Sequence, residues 1–149
     1  MLKLYTQIEE GVFKESNSIK LEGTPLSTSA SQVNDQGVYV LLHNNQLAEV
    51  IDDKVVKQTE IKFEATVIAA TKTELWIGDK LGSLHVHSIT DMSEVAMIEK
   101  KHTQAVTSLA VSPDSKLVAS GDNYRYIYVI KTDSREDAAR FTYHSGRVI

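Results

Sequence analysis

Two histidines in one short segment are the first candidates for chemistry. His85 and His87 stand two residues apart in the sequence HVH. On an extended strand, alternate side chains point to the same face, so the two imidazoles would have Cα atoms about 7 Å apart, a spacing that suits a single metal ion. No third ligand stands nearby in the sequence, and both histidines also fit ordinary strand positions. We therefore predict no metal site.

Two further groups of residues resemble catalytic or cofactor motifs. His102, Ser120 and Asp122 are the residue types of a hydrolytic triad. The segment GDKLGS, residues 78–83, resembles a phosphate-binding loop, but it lacks the spacing and the Lys-Ser/Thr ending of that motif, and a strand is predicted after it. Because a structural role explains the histidine and the serine below, we predict no catalytic residue, no cofactor and no enzyme activity.

Composition excludes several other classes of function. The chain has 149 residues, of which 42% are hydrophobic and 24% charged, with a net charge of −4 and no cysteine. This describes a soluble globular domain, or part of one, in a reducing compartment such as the cytoplasm. The longest apolar run near the middle of the chain, Val38 to Leu42, is far shorter than the roughly 20 residues that a membrane helix needs. Scattered Lys and Arg disfavour a nucleic-acid partner, and we predict no membrane partner.

The elements that carry these residues repeat along the chain. When Leu75–Ile89 is superposed on Leu117–Lys131, Gly78 falls on Gly121 at an offset of 43 residues, and the aspartates that follow also match. Gly37–Ile51 is a weaker third copy, with asparagines at its turn. Repeats of about 40–45 residues are typical of propeller blades with four strands each.

The strand pattern within the repeats fits packed sheets. Residues 106–112 alternate between two faces at period two, whereas both faces of Tyr126–Ile130 are apolar or aromatic. A strand that is apolar on both faces is expected where blades pack on each side of it. The segment 91–101 is read as an outer strand, with a short helix as the alternative, and 131–140 as a loop that leads into another strand.

The sequence therefore predicts an all-β fold, a partial β-propeller of about three four-stranded antiparallel WD-type blades that one chain does not close. The predicted repeats over residues 1–149 are 8–51, 52–89 and 90–131, preceded by an isolated strand at 2–7 and followed by the start of a further blade at 138–149. Propellers have about four to eight blades. We therefore expect the ring to be completed by a missing chain segment, by another chain or by homo-oligomerisation.

In WD-type blades a buried polar network joins a histidine before the first strand, a Ser or Thr in the second and an Asp in the turn before the third. His102 and Ser120 match the first two positions, and His144 opens a further blade. Tyr124 stands where the Asp is expected. The sequence thus predicts that the carboxylate is missing and that His102 binds a backbone carbonyl or water. In the preceding repeat, Leu81 stands at the corresponding Asp position.

Three segments carry a resemblance to a known family. ASGDNYRYIYV and FTYHSGRV resemble actin-interacting protein 1, a WD-repeat family with two linked propellers, and WIGDKLGSLHVHSI resembles the preceding blade of its second propeller. The resemblance covers residues 65–149 and makes the chain roughly a quarter of a full member. It implies a cytoplasmic, cytoskeletal protein that binds actin and cofilin and promotes cofilin-assisted filament disassembly. The alternative is a non-catalytic WD-repeat scaffold subunit of another complex.

The predicted partner surface is the propeller face that carries the loops between second and third strands and between successive blades, since such loops are the usual contact surface. Tyr and Arg are typical interface anchors, although exposed turn residues are often neutral. The residues predicted to form this surface are Lys80, Leu81, Lys101, Thr103, Gln104, Asn123, Tyr124, Arg125, Ser145 and Arg147.

Overall fold

The computed structural model describes residues 23–142 in full and residues 2–9 and 12–19 as backbone strands. Within these residues the secondary structure is entirely strands and turns, which confirms the all-β prediction. In the same part of the chain, no helix has the length and apolar character needed to cross a bilayer. The strands are β1 Leu2–Glu9, β2 Val12–Ile19, β3 Pro25–Ala30, β4 Gly37–Leu42, β5 Gln46–Ile51, β6 Lys54–Glu60, β7 Ala65–Ala70, β8 Glu74–Asp79, β9 Leu84–Ser88, β10 Glu94–Ile98, β11 Val106–Val111, β12 Leu117–Asp122, β13 Ile127–Lys131 and β14 Asp137–Phe141.

Twelve of these strands form three four-stranded antiparallel sheets, as predicted. Sheet 1 contains β3–β6, sheet 2 contains β7–β10 and sheet 3 contains β11–β14, each in sequence order. The segment 91–101 contains strand β10 and no helix, and 131–140 is a turn that leads into β14. Neighbouring strands that follow each other in sequence need only short turns, and these turns lie on two opposite faces of the assembly.

The amino-terminal strand differs from the expectation. Residues 2–7 were predicted as an isolated strand, but they lie in β1, which pairs antiparallel with β2 from Leu2↔Ile19 to Glu9↔Val12. The adjacent segment supplies the hydrogen-bond partners that a single extended strand would lack. The predicted repeats 52–89 and 90–131 each begin with the outer strand of one sheet and end with the third strand of the next, so sheets and repeats are offset by one strand.

The hydrophobic core lies between the sheets. One cluster joins sheets 1 and 2 through residues such as Tyr39, Leu47 and Leu75. A second cluster joins sheets 2 and 3 around Trp76 and Val118. Strand β8 of sheet 2 is therefore covered on both faces, which explains why its residues 75–77 are apolar without alternation. Each large side chain buried in this way contributes on the order of 1.5–3 kcal/mol.

Hydroxyl side chains join the innermost strands of the three sheets. The amide of Ile68 donates to Ser27 Oγ at 3.3 Å, and the amide of Ala70 donates to Ser29 Oγ at 2.9 Å. The hydroxyl of Thr66 donates to the Val106 carbonyl at 2.6 Å. Strand β7 lies at the edge of its own sheet, so these contacts with β3 and β11 satisfy backbone groups that would otherwise be unpaired.

The loops between first and second strands meet at one point. The hydroxyl of Ser115 in sheet 3 donates to Gln32 Oε1 in sheet 1 at 2.9 Å. The same hydroxyl oxygen accepts the amide of Lys72 in sheet 2 at 3.1 Å. Gln32 Nε2 in turn donates to the carbonyl of Ala70 at 2.8 Å. All three sheets are thus hydrogen-bonded to one another on this face.

Candidate functional site

His102 lies at the centre of a buried network in sheet 3. Its Nδ1 lies 2.7 Å from Asp122 Oδ2, and its Nε2 lies 2.8 Å from Ser120 Oγ. Asp122 Oδ1 accepts the amides of Tyr124 at 2.7 Å and Tyr126 at 3.2 Å. The prediction that the carboxylate is missing was therefore wrong. Asp122 ends β12 two residues before the expected position, and its side chain closes the turn while it binds His102.

The protonation of His102 follows from its burial. Burial lowers the pKa of His102, and this effect outweighs the hydrogen bond and charge of Asp122, which act in the opposite direction. A neutral imidazole with its proton on Nδ1 donates to Asp122 and accepts the hydroxyl proton of Ser120 at Nε2. This order of groups matches a hydrolytic triad, but Ser120 is only 1% exposed and its hydroxyl is bound inward. The geometry suits stabilisation of the sheet.

Sheet 2 contains a related network that the sequence prediction missed. Asp79 Oδ1 accepts the amides of Leu81 and Ser83, both at 2.9 Å. Asp79 Oδ2 lies 2.8 Å from His85 Nε2, and His85 Nδ1 lies 2.7 Å from Glu94 Oε1. Here the imidazole comes from the third strand instead of the loop before the first. Leu81 does not replace the aspartate, since Asp79 stands two residues earlier, as Asp122 does in sheet 3.

His85 and His87 do not converge on one site. The ring of His85 stacks on Phe63 with centroids 3.5 Å apart. His87 Nδ1 instead lies 2.8 Å from the carbonyl of Met92. Over the residues that the structure describes, no group of three or more His, Cys, Asp or Glu residues is placed to hold a metal ion. The two histidines belong to the packing of sheet 2.

The predicted partner surface lies on the face that carries the turns after β8 and β12 and the loop between β10 and β11. Leu81 is 72% exposed and Tyr124 is 58% exposed. Lys101 is mostly covered, because its ammonium pairs with Asp137 and lies 4.7 Å from the centroid of the Tyr128 ring. The other described members are exposed, namely Lys80, Thr103, Gln104, Asn123 and Arg125. His144, Ser145 and Arg147 lie outside the described residues.

Gly82 fixes the turn after β8 against the loop that carries His102. Its φ is +94°, in the region that favours glycine, and its carbonyl accepts the amide of His102 at 3.0 Å. Between the turn and the loop is a groove of about 510 Å³ lined by Lys80, Leu81, Lys100, His102, Thr103 and Gln104. The buried networks thus position an exposed groove between sheets 2 and 3.

No protein-family model matches the chain. It is 34% identical over 87% of its length to the 66 kDa stress protein of Physarum polycephalum, and 36% identical over 65% of its length to Actin-interacting protein 1-2 of Arabidopsis thaliana. It spans 22% and 17% of these relatives, about a fifth of their length. A chain in the crystal structure of a mitotic checkpoint complex superposes with a TM-score of 0.76 at 18% identity, over 98% of this chain and 46% of that one. This likeness concerns the fold.

Proposed function

Because the chain is a WD-repeat protein related to actin-interacting protein 1, we propose that it is a protein-interaction module that acts with cofilin to promote actin filament disassembly in the cytoplasm and cytoskeleton. The observation that carries the proposal is the exposed loop face, where Leu81 and Tyr124 extend into solvent from turns that buried carboxylates hold in place. Rigid, exposed apolar and aromatic side chains are suited to contact another protein. The relation to an actin-interacting protein supplies the partner class.

The module is proposed to be non-catalytic. The polar groups that resemble a triad, His102, Ser120 and Asp122, are buried and satisfy one another. A nucleophile must be reached by its substrate, and burial prevents this for Ser120. The exposed residues around the groove include no nucleophile paired with a base, so binding is the activity that this face supports.

We also propose that further blades cover the outer face of sheet 3. Ile127, Tyr128 and Val129 on β13 are half-buried, whereas the corresponding Leu84, His85 and Val86 on β9 are buried. The difference arises because sheet 3 packs on β9 but nothing described packs on β13 from the other side. A further segment of the same polypeptide, another chain or a second copy can supply such blades. Sedimentation equilibrium over a range of concentrations separates self-association, which raises the mass, from the other two sources.

Cosedimentation with actin filaments tests the proposed function. The chain is mixed with bare filaments and with cofilin-decorated filaments, and pelleted protein is measured together with the rate of filament disassembly. We expect a larger amount of the chain per amount of pelleted actin when cofilin is present, and faster loss of filaments. A chain that stays in the supernatant with decorated filaments, or pellets equally without cofilin, contradicts the proposal. Circular dichroism of the same sample shows whether the chain is folded, so that a failure to bind is not caused by unfolding.

A further inference from the structure

Charge is distributed unequally between the two loop faces of the sheets. The basic face consists of the described turns and loops at residues 43–45, 61–64, 80–83, 99–105 and 123–126. Its charged residues outside the buried networks are Lys62, Lys80, Lys100 and Arg125 against Glu64 and Glu99, while Lys101 on the same face is paired with Asp137. The loops of the opposite face carry Asp35, Asp52, Asp53, Asp91, Asp114, Asp133 and Glu136 against Lys72, Lys116 and Arg135. One face is therefore positive although the net charge of the chain is −4.

Apolar side chains occupy the same turn position in two adjacent sheets of the basic face. Leu81 and Tyr124 each follow a buried aspartate by two residues and donate their amides to it. The next residue in both turns has positive φ, +94° at Gly82 and +71° at Arg125. The corresponding residue in sheet 1 is the polar Asn44. Turn tips normally carry small or polar residues, so two large exposed apolar side chains at one repeated position indicate a contact surface.

The groove beside Leu81 combines this apolar surface with positive charge. Lys80 and Lys100 both line it. Lys80 pairs with Glu64 at 3.4 Å, but both side chains are largely exposed, so the pair is weak and Lys80 can exchange partners. Among the described residues, Lys100 has no ion-pair partner. An incoming carboxylate thus gains two cations without breaking a strong interaction.

We propose that the basic face binds an acidic protein segment, with carboxylates paired to Lys80 and Lys100 and apolar side chains packed on Leu81 and Tyr124. This inference deepens the proposed function and rests on it for the premise that the partner is a protein. Complementary charge accelerates and orients association, and the apolar contacts supply affinity. A protein that binds nucleic acid contacts many phosphates through a continuous row of basic residues. The basic face has few cations, and Leu81 and Tyr124 interrupt them, so it lacks such a row.

The test uses the whole chain and three fluorescein-labelled peptides, built from Glu-Glu-Leu repeats, from Glu alone and from Lys-Lys-Leu repeats, with fluorescence anisotropy as readout. We expect the Glu-Glu-Leu peptide to bind most tightly, the Glu peptide more weakly and the Lys-Lys-Leu peptide not at all. The double variants Lys80→Glu/Lys100→Glu and Leu81→Ser/Tyr124→Ser should each weaken binding about tenfold or more. Binding should also weaken as salt is raised, since the charged contacts are exposed.

Matched controls lie on the opposite face. Lys72→Glu/Lys116→Glu makes the same change in net charge, and Val33→Ser removes another exposed apolar side chain. Both should bind the peptide as the unchanged chain does. Equal weakening by the control variants, or no weakening by the basic-face variants, overturns the inference, and so does tighter binding of a labelled single-stranded oligonucleotide. If the peptide results hold but decorated filaments are not bound, the proposed function fails and the basic face stands. If decorated filaments are bound equally by the unchanged chain and by all variants, the proposed function stands and the basic face is excluded as the binding surface.

Discussion

Gly82 and His102 approach each other so closely that a Cβ atom on Gly82 would lie 2.0 Å from the carbonyl oxygen of His102. That oxygen belongs to the backbone and cannot rotate away. The contact joins the turn of sheet 2 to the loop that begins sheet 3, and the same glycine has a φ of +94°. Residue 82 is therefore restricted to glycine by both conformation and space.

Gly82→Ala should lower the free energy of unfolding by about 3 kcal/mol or more, because the steric clash and the positive φ act together. Urea denaturation followed by circular dichroism measures the change. Gly37→Ala is the control, since its φ is not positive and its Cβ would come no nearer than 3.0 Å to a side-chain atom of Ser31. We expect a loss of about 1 kcal/mol there. Equal effects at the two glycines would contradict this reading of the contact.

Asp122→Ala should destabilise the chain by about 3 kcal/mol. The substitution leaves the buried His102 ring and the amides of Tyr124 and Tyr126 without their acceptor. The exposed Asp114 offers a comparison, because its carboxylate accepts the Lys116 amide at 3.0 Å but in contact with solvent. Asp114→Ala should lose about 1 kcal/mol or less, as water replaces the lost acceptor. Similar losses in the two variants would show that burial of the network contributes little.

Stability should fall as the solution becomes acidic, in part because of His102. Its folded-state pKa is lowered by burial from the ordinary value of 6.5, so the unfolded chain binds the proton first. The contribution of neutral His102 is complete above 6.5 and is lost as the pH decreases towards the lower folded value. This change is measured by the urea midpoints of unfolding at about pH 7.5 and about pH 5.5, two values that lie on either side of the ordinary histidine pKa.

His102→Gln removes the titrating group and should reduce the difference between the two pH values. His43→Gln, at an exposed position, should leave that difference unchanged. If the stability of the His102→Gln variant depends on pH as strongly as that of the unchanged chain, groups other than His102 cause the dependence.

Glu74 and Arg135 form a two-contact ion pair between sheets 2 and 3, with Nη1–Oε1 at 3.0 Å and Nη2–Oε2 at 2.6 Å. The guanidinium also lies 5.5 Å from the centroid of the Trp76 ring. Arg135→Lys should lower the free energy of unfolding by about 1 kcal/mol, because lysine cannot reproduce the paired geometry of the guanidinium. A double-mutant cycle with Glu74→Gln should give a coupling free energy of similar size.

The comparison for this pair is Lys80 with Glu64, whose side chains are 62% and 68% exposed. Lys80→Gln should change the unfolding free energy by less than about 0.5 kcal/mol, as exposed pairs generally do. A coupling free energy near zero for Glu74 and Arg135 would exclude the pair as a link between the sheets.

Periodicity was sufficient to predict three four-stranded antiparallel sheets, but it did not predict the pairing of β1 with β2 or the offset of one strand between repeats and sheets. The offset that places Gly78 on Gly121 also aligned Asp79 with Asp122, and both aspartates do close their turns. The network itself was misjudged because the carboxylate was expected at Tyr124, where the usual spacing puts it. The position of the aspartate in the sequence is not fixed, because an aspartate side chain two residues earlier can contact the same imidazole. Spacing alone does not contain that information.

The partner of Asp79 could not be found by counting from His102. When Val106 is matched with Ala65, which pairs with Asp79 as Val106 pairs with Asp122, the residue that corresponds to His102 is the apolar Ile61. The imidazole comes instead from His85 on the third strand. Only the packing of β8 against β9 brings these two groups together. The sequence did contain one indication of this network. The segment HVH places two polar rings in the third strand of a repeat, where apolar residues are expected.

The hydrogen bond between Ser115 and Gln32 joins the first sheet to the third across the second. It joins two loops that belong to sheets that are not neighbours, and so it favours a close approach of sheets 1 and 3 on this face. The angle between successive blades determines how many blades complete a circle. A hydrogen bond that favours close approach of the first and third sheets on one face also favours a larger angle between successive blades, and hence a ring with fewer blades.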